Sequence, residues 1–342
     1  MASKIRWGIL GNATIARKCV IPAIGRSRNG EVAVLGTRSP DDAGPLQKEL
    51  GIPRLADDYG AVLADDRVDA VYIPLPNHLH LPWTLKALDR GKHVLCEKPL
   101  ATNAREAQTM ASRAEKADRL LMEAYMYRFH PRMEDIRRRI RNREIGNIRS
   151  IKAAFGYPMA SAILEEASDF RLQPAGGGAL LDVGCYGVSV ARWFLRDEPD
   201  RVQALARYHA NGTDLHLTAL MGFGGDAIAV VEASFISALQ QTVAVIGDKG
   251  AIELPHDAFI PWSKPARFTV RGTEEETGDT VVIAGADEYQ LMVEAFADAV
   301  LKRRPLPFSP RESVRNATVM DALSRAARTG ATETLQLRAG RQ

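Results

Sequence analysis

Three cysteines among 342 residues, Cys19, Cys96 and Cys185, are too few and too scattered for a disulfide framework or a CxxC metal pair. That scarcity suits a reducing compartment, and the expected location is the cytoplasm. Nowhere do about 18 apolar residues run together, so no membrane-spanning helix is expected. The run MASKIRWGIL lacks a long apolar core and a small-residue cleavage site, and no export signal is read in it. Charge of one sign is also scarce: 45 Lys and Arg against 42 Asp and Glu leave a formal net charge of +3, which calls for no polyanionic partner. No internal repeat or low-complexity stretch is evident. What is present is 46% hydrophobic residues, enough for large cores, over a length nearer two domains than one.

Short β-rich apolar runs at 5–10, 32–35, 70–73, 93–96 and 120–123 alternate with helical patterns near 14–26, 82–90 and 104–116. This is the grammar of βαβ units, and it predicts an α/β fold whose first domain, 1–124, is a Rossmann-type doubly wound parallel sheet. After residue 125 the pattern changes. A helix at 131–142, a strand at 148–157 and a glycine-led helix at 178–195 precede seven strand-like runs between 202 and 283. The second domain, 125–342, is therefore expected to be α+β, with a large, mostly antiparallel, open-faced sheet. Helices 178–195 and 288–302 are expected to cover one face, leaving the other for a homodimer or homotetramer interface.

Ligands of a doubly wound sheet bind outside the carboxyl ends of its strands, so the segments following each strand are the ones to inspect. After the first strand, Gly11-Asn12-Ala13-Thr14-Ile15-Ala16 stands where a dinucleotide fingerprint belongs, with Gly11 at its tight turn and alanines where the later glycines are usual. An ordinary βα turn fits the same residues. After the second strand, Thr37-Arg38-Ser39 offers no carboxylate for a ribose 2′-hydroxyl. Arg38 instead supplies a planar fork suited to a 2′-phosphate, with hydroxyls on either side, which favours NADP over NAD.

After the third strand, Pro74-Leu75-Pro76-Asn77-His78-Leu79-His80 makes a rigid turn in which Asn77 could cap a helix. The two histidines have no accompanying ligand spacing, and no metal is expected. After the fourth comes Cys96-Glu97-Lys98-Pro99. Lys98 there is either an ordinary surface lysine or an ammonium that polarises a substrate oxygen. In Gly176-Gly177-Gly178 and the helix that follows, Asp182 and Tyr186 fall four apart on one face. They read equally as a capping Asp with a packing Tyr, or as an acid/base pair. The basic run 137–143 carries an apolar stripe of Met133, Ile136 and Ile140 and no aromatic stacking set, so it reads as an amphipathic helix with a solvated basic face; no nucleic-acid or membrane partner is expected.

Taken together, Gly11 to Ala16, Tyr72 to Asn77, Gly91 to Pro99, Glu123 to Pro131 and Gly176 to Tyr186 resemble the glucose-fructose oxidoreductase, inositol dehydrogenase and rhizopine-catabolism family, over nearly the whole chain. The Asp182 and Tyr186 pair resembles the branch of NADP-dependent D-xylose dehydrogenases and dimeric dihydrodiol dehydrogenases. The resemblance implies a catalytic set of Lys98, Tyr186 and Asp182, in which Lys98 polarises the reacting oxygen, Tyr186 exchanges its proton and Asp182 positions substrate or Lys98. It also implies that Leu75, Asn77, His80, Glu97 and Lys98 line the cofactor, and that Phe155 and Arg171 lie near a sugar or cyclic polyol substrate. The expected activity is NADP-dependent oxidation of an aldose such as D-xylose or D-glucose to a lactone. The alternatives are a dihydrodiol dehydrogenase, a keto-sugar reductase and, from another class, a non-catalytic NADP-binding regulator.

Overall fold

A computed structural model describes residues 4–38 and 40–337. Its chain divides into two compact units. One comprises the described residues up to Phe129 together with Asp287–Val314, and the other comprises His130–Ala286 with the described residues from Arg315 onward.

The first unit alternates strand and helix. In chain order these are β1 (Ile5–Leu10), α1 (Ile21–Arg26), β2 (Gly30–Gly36), α2 (Pro40–Glu49), β3 (Leu55–Ala56), α3 (Tyr59–Ala64), β4 (Ala70–Ile73), α4 (His80–Asp89), β5 (His93–Cys96), α5 (Ala104–Ala117) and β6 (Leu121–Glu123). The strands are parallel in the order β3-β2-β1-β4-β5-β6, so the order reverses between β1 and β4, and that point marks the ligand crevice of a doubly wound sheet. Six strands form where five were expected, because the two residues of β3 are too short to leave a pattern. The expected helix at 14–26 carries a π-helical stretch, Ala16–Val20, before α1. β4 is buried along its whole length, as a strand covered on both faces must be.

The second unit runs through α6 (Pro131–Arg141), β7 (Ile148–Gly156), α7 (Ser161–Glu166), a π-helical stretch Leu180–Gly184, and α8 (Cys185–Leu195). Then follow β8 (Pro199–Tyr208), β9 (Asp214–Phe223), β10 (Ala227–Ser234), β11 (Gln240–Gly247), β12 (Gly250–Leu254), β13 (Ala266–Gly272) and β14 (Asp279–Ile283). The chain continues with α9 (Glu288–Lys302), α10 (Pro310–Thr329) and β15 (Glu333–Thr334). The nine-stranded sheet has the order β14-β13-β12-β11-β7-β10-β9-β8-β15 and is antiparallel except for the β7/β10 pair. The expected α/β Rossmann unit and mostly antiparallel second sheet are both present.

Along β9 and β10 buried and accessible residues alternate, as a sheet with one covered face requires. α8 lies on β7 and β10 over that face. Leu205, Leu220 and Ile228 are exposed, at 77%, 45% and 50%. The expectation that α9 shares the covering is corrected: α9 packs in the first unit against α1 and residues 126–129. Its Phe296 meets Trp7 at 5.3 Å between ring centroids, and its Asp298 accepts from Arg28 at 2.7 Å and from Asn29 at 2.8 Å. The basic run on α6 is also less bare than its sequence suggests. Glu134 and Asp135 of the same helix pair with Arg137, Arg138, Arg139 and Arg141, and Arg137 lies 4.5 Å over the Trp193 ring.

Candidate active site

In the first unit the turn after β1 is set by Gly11, whose φ of 113° places it in the left-handed region. A Cβ at Gly11 would lie 2.9 Å from Leu75 Cδ2 and 3.4 Å from the Tyr59 hydroxyl, so the turn closes against the end of β4. The Gly11 N–H donates to the Gly36 carbonyl at 2.9 Å, tying the turn to the end of β2. Asn12, Ala13 and Ile15 are half-buried and Thr14 is exposed. The Asn12 Oδ1 atom, in the turn after β1, is buried without a hydrogen-bond partner, a polar group left for a bound molecule to satisfy.

Thr37 is buried and its N–H donates to Ala56, whereas Arg38 is exposed and leaves its guanidinium accessible at the crevice edge. Ser39, expected beside them, lies outside the described residues. These features fit a dinucleotide: a tight glycine turn, an unsatisfied amide, and an arginine where a carboxylate would select NAD.

The segment after β5 is held from three sides. Tyr72, fully buried, donates to Glu97 Oε1 at 2.5 Å, and Glu97 Oε2 accepts the Lys98 N–H at 3.2 Å. His80 is fully buried, with Nδ1 2.9 Å from the Pro99 carbonyl oxygen and Nε2 2.7 Å from that of Leu75. The carbonyls favour a charged ring, but burial dominates and lowers its pKa. His80 therefore ties the loop after β4 to the loop after β5, and neither nitrogen is open to a metal. Glu123 accepts the Leu100 N–H at 2.8 Å, and burial pushes its carboxyl up to about 6. Lys98, half-buried, sits in the middle of this braced turn, and the Lys98–Pro99 bond is cis. Asn77 begins a 3₁₀ turn, Asn77–Leu79, that leads directly into α4.

The second unit assembles its own cluster. The glycine run lets the π-helical stretch start tightly: Gly178 has φ 112°, a Cβ there would collide with the Asp214 carboxylate, and Asp214 accepts the Leu180 N–H at 2.7 Å. π-Helical insertions recur at functional sites, and this one carries Asp182. Asp182 Oδ2 accepts from the Tyr157 hydroxyl at 2.8 Å, and the Tyr157 oxygen accepts from Arg171 Nη1 at 2.8 Å. Arg171 grips Asp169 side-on, Nε to Oδ1 at 2.8 Å and Nη2 to Oδ2 at 2.7 Å. That bond holds the Asp169 carboxyl below its usual range and raises the guanidinium.

Beside this chain of polar groups, Phe155 and Phe259 stack at 5.6 Å with planes 7° apart. Tyr186 leans on both at 5.4 and 5.2 Å. The structure thus brings Phe155 to Tyr186, and Arg171 to Asp182 through Tyr157. Tyr157, Asp169 and Phe259 were not singled out from the sequence. The only signals available were Phe155 and Tyr157 two apart on one strand edge, and Asp169 and Arg171 two apart in one turn.

Residues 5–125 match the model of an oxidoreductase family with an NAD-binding Rossmann fold, and residues 133–253 match the GFO/IDH/MocA C-terminal domain. The chain is 38% identical to D-xylose 1-dehydrogenase (NADP(+)) 2 of Haloferax volcanii, over 95% of this chain and 98% of the relative. It is 32% identical to trans-1,2-dihydrobenzene-1,2-diol dehydrogenase of Xenopus tropicalis, over 77% and 78%. Among solved structures, KijD10, a 3-ketoreductase from Actinomadura kijaniata in complex with NADP and TDP-benzene, superposes with a TM-score of 0.87 at 30% identity, over 95% of this chain and 98% of that one. The chain belongs to the GFO/IDH/MocA family of oxidoreductases.

Proposed function

We propose that the protein is an NADP-dependent sugar dehydrogenase that oxidises the anomeric carbon of a cyclic aldose, of the D-xylose or D-glucose type, to a lactone. Its cofactor is NADP. The observation that carries the sugar assignment is the Arg171–Tyr157–Asp182 chain beside the Phe155, Tyr186 and Phe259 rings. A pyranose presents apolar C–H faces and a rim of hydroxyls; here a fixed chain of donors and acceptors lies beside three packed rings, Phe155, Tyr186 and Phe259, that are 7%, 3% and 0% exposed.

When bound, NADP supplies the hydride acceptor at nicotinamide C4. Gly11, Asn12, Ala13, Thr14 and Ile15 would hold its pyrophosphate side, Thr37, Arg38 and Ser39 its 2′-phosphate, and Leu75, Asn77, His80, Glu97 and Lys98 would line its path. Lys98 polarises the reacting hydroxyl. Tyr186 takes the proton of the reacting hydroxyl; with bound NADP accepting the hydride from the same carbon, the C–O bond would become C=O. A tyrosine with an ordinary pKa of about 10 needs a nearby cation to act as a base near neutrality, a role that the family resemblance gives to the Lys98 ammonium. Asp182, Phe155 and Arg171 position the sugar.

The enzyme acts in the cytoplasm, a reading supported by three cysteines none of which is in a disulfide. It assembles as a homodimer or homotetramer through the open sheet face that exposes Leu205, Leu220 and Ile228. Among the described residues no helix is long and apolar enough to cross a membrane.

Steady-state rates on aldoses, trans-dihydrodiols and keto-sugars with NADP(H) and NAD(H) test the reading. D-xylose or D-glucose with NADP is expected to lead. Inactivity on every aldose would end the aldose assignment and leave the dihydrodiol and keto-sugar reactions, which the Xenopus and Actinomadura relatives carry in their names.

A further inference from the structure

Tyr157 lies just past the end of β7, where its N–H donates to Ser234 at 3.0 Å, two residues beyond Phe155. Its hydroxyl is held between opposite charges, accepting from Arg171 and donating to Asp182, each at 2.8 Å. Arg171 is turned away from any external anion by its own neighbour. The side-on fork that a phosphate or carboxylate would need is occupied by Asp169, which also accepts the Arg171 N–H at 2.8 Å. The linked group therefore sets one cation against two carboxylates, beside a wall of aromatic rings. An acidic substituent on a ring lying against this wall finds the Arg171 fork already taken by Asp169 and lies beside two carboxylates. A neutral hydroxyl meets an oriented carboxylate acceptor and a phenol.

We propose that Tyr157 is a specificity-determining residue: with Arg171 and Asp169 it fixes Asp182 as an acceptor for a hydroxyl of an uncharged sugar ring, and the group excludes rings bearing an acidic substituent. This rests on the reading above that the cluster faces substrate. Tyr157 acts by positioning; Asp182 is the group that meets the sugar.

The test is isothermal titration of the full-length, NADPH-loaded protein with D-glucose, D-xylose, D-glucuronate and D-glucose 6-phosphate. NADPH in place of NADP keeps the sugar from being oxidised during the measurement. Wild type is expected to bind D-glucose at least about tenfold more tightly than either acid. Tyr157→Phe is expected to weaken D-glucose binding about tenfold, the scale of a hydrogen bond to a charged group. Asp169→Asn keeps the turn's capping oxygen but frees the fork and removes one negative charge, so it is expected to narrow the preference for the neutral sugar. The NADPH Kd of each variant reports that it is folded, and should Tyr157→Phe fail that check, Asp169→Asn carries the test. Acids bound as well as D-glucose by wild type, or variants that leave both the D-glucose Kd and the preference unaltered, would overturn the proposal. Selective binding of D-glucose without its oxidation when NADP is supplied overturns the dehydrogenase reading and supports this one. Oxidation without selectivity does the reverse, and absence of binding by both D-glucose and D-xylose overturns both.

Discussion

The Tyr72 hydroxyl donates to Glu97 Oε1 at 2.5 Å from a fully buried ring, one residue before Lys98. Burial and the neighbouring Glu97 carboxylate push the Tyr72 phenol well above its ordinary pKa, so it remains a donor throughout the working pH range. Because Glu97 also accepts the Lys98 N–H, the phenol fixes the turn that presents the lysine. Tyr72→Phe is expected to cost about 1.5–3 kcal/mol of folding stability, the range for a hydrogen bond to a charged group. A loss of about tenfold in kcat/KM should accompany it. Denaturant unfolding and steady-state kinetics check both; an unfolding free energy equal to wild type would remove the bond from the account.

Replacing the lysine itself separates chemistry from binding. Lys98→Met keeps a chain of similar length and removes only the ammonium. The NADPH Kd, read from nucleotide fluorescence, is expected to stay within about threefold, while kcat falls by roughly 10²–10⁴, the range for losing a polarising or acid/base group. Turnover equal to wild type would take Lys98 out of the mechanism.

The parallel sheet was readable because its strands are unbroken apolar runs, such as residues 70–73, separated by helical periods. α10 was not, although it runs for 20 residues, because much of its buried side is alanine: Ala317, Ala322 and Ala326 lie among Val319, Met320 and Leu323, and alanine gives little periodic contrast. For α9 the amphipathic pattern gave the bounds but not the destination, since a pattern marks which side of a helix is apolar and not which sheet receives it. Likewise Asp182 and Arg171 stood out by resemblance, but Tyr157, which joins them, is separated from them by 25 and 14 residues. Only tertiary structure makes that link.

Arg38 follows β2 at a position where NAD sites carry an acid. It is exposed, next to the buried Thr37. Arg38→Ala is expected to raise the KM for NADP roughly 10- to 100-fold, matching the loss of charge-assisted bonds to a phosphate. The KM for NAD should move less than about threefold. Equal shifts for both cofactors would assign Arg38 to general nucleotide binding and not to the 2′-phosphate.

Glu123 makes stability depend on pH in an unusual direction. Its carboxyl is raised from 4.5 to about 6 by burial, so the folded chain holds the proton more tightly than the unfolded chain. The contribution is complete below pH 4.5 and is lost as pH rises through about 6, an effect of about 2 kcal/mol at 1.36 kcal/mol per unit. Glu123→Gln retains an oxygen for the Leu100 N–H and cannot ionise. The variant is expected to gain about 2 kcal/mol relative to wild type between pH 4.5 and pH 7 in denaturant titrations, and a constant difference across that range would contradict the assignment.

His130 acts with the opposite sign. It is 1% exposed, its Nδ1 accepts the Arg132 N–H at 3.0 Å as the cap of α6, and burial followed by the Arg132 charge lowers its pKa from 6.5 to about 4. The folded chain thus resists a proton that the unfolded chain accepts. The stability this contributes is complete above pH 6.5 and is lost as pH falls from there through about 4, amounting to about 3 kcal/mol. His130→Asn supplies a neutral side-chain acceptor well suited to a helix start, at some cost in packing that is the same at every pH. The variant's stability should therefore fall less steeply than that of wild type between pH 6.5 and pH 4. Because the Glu123 effect is common to both proteins, it cancels in the difference, and parallel curves would mean that His130 does not titrate in this window.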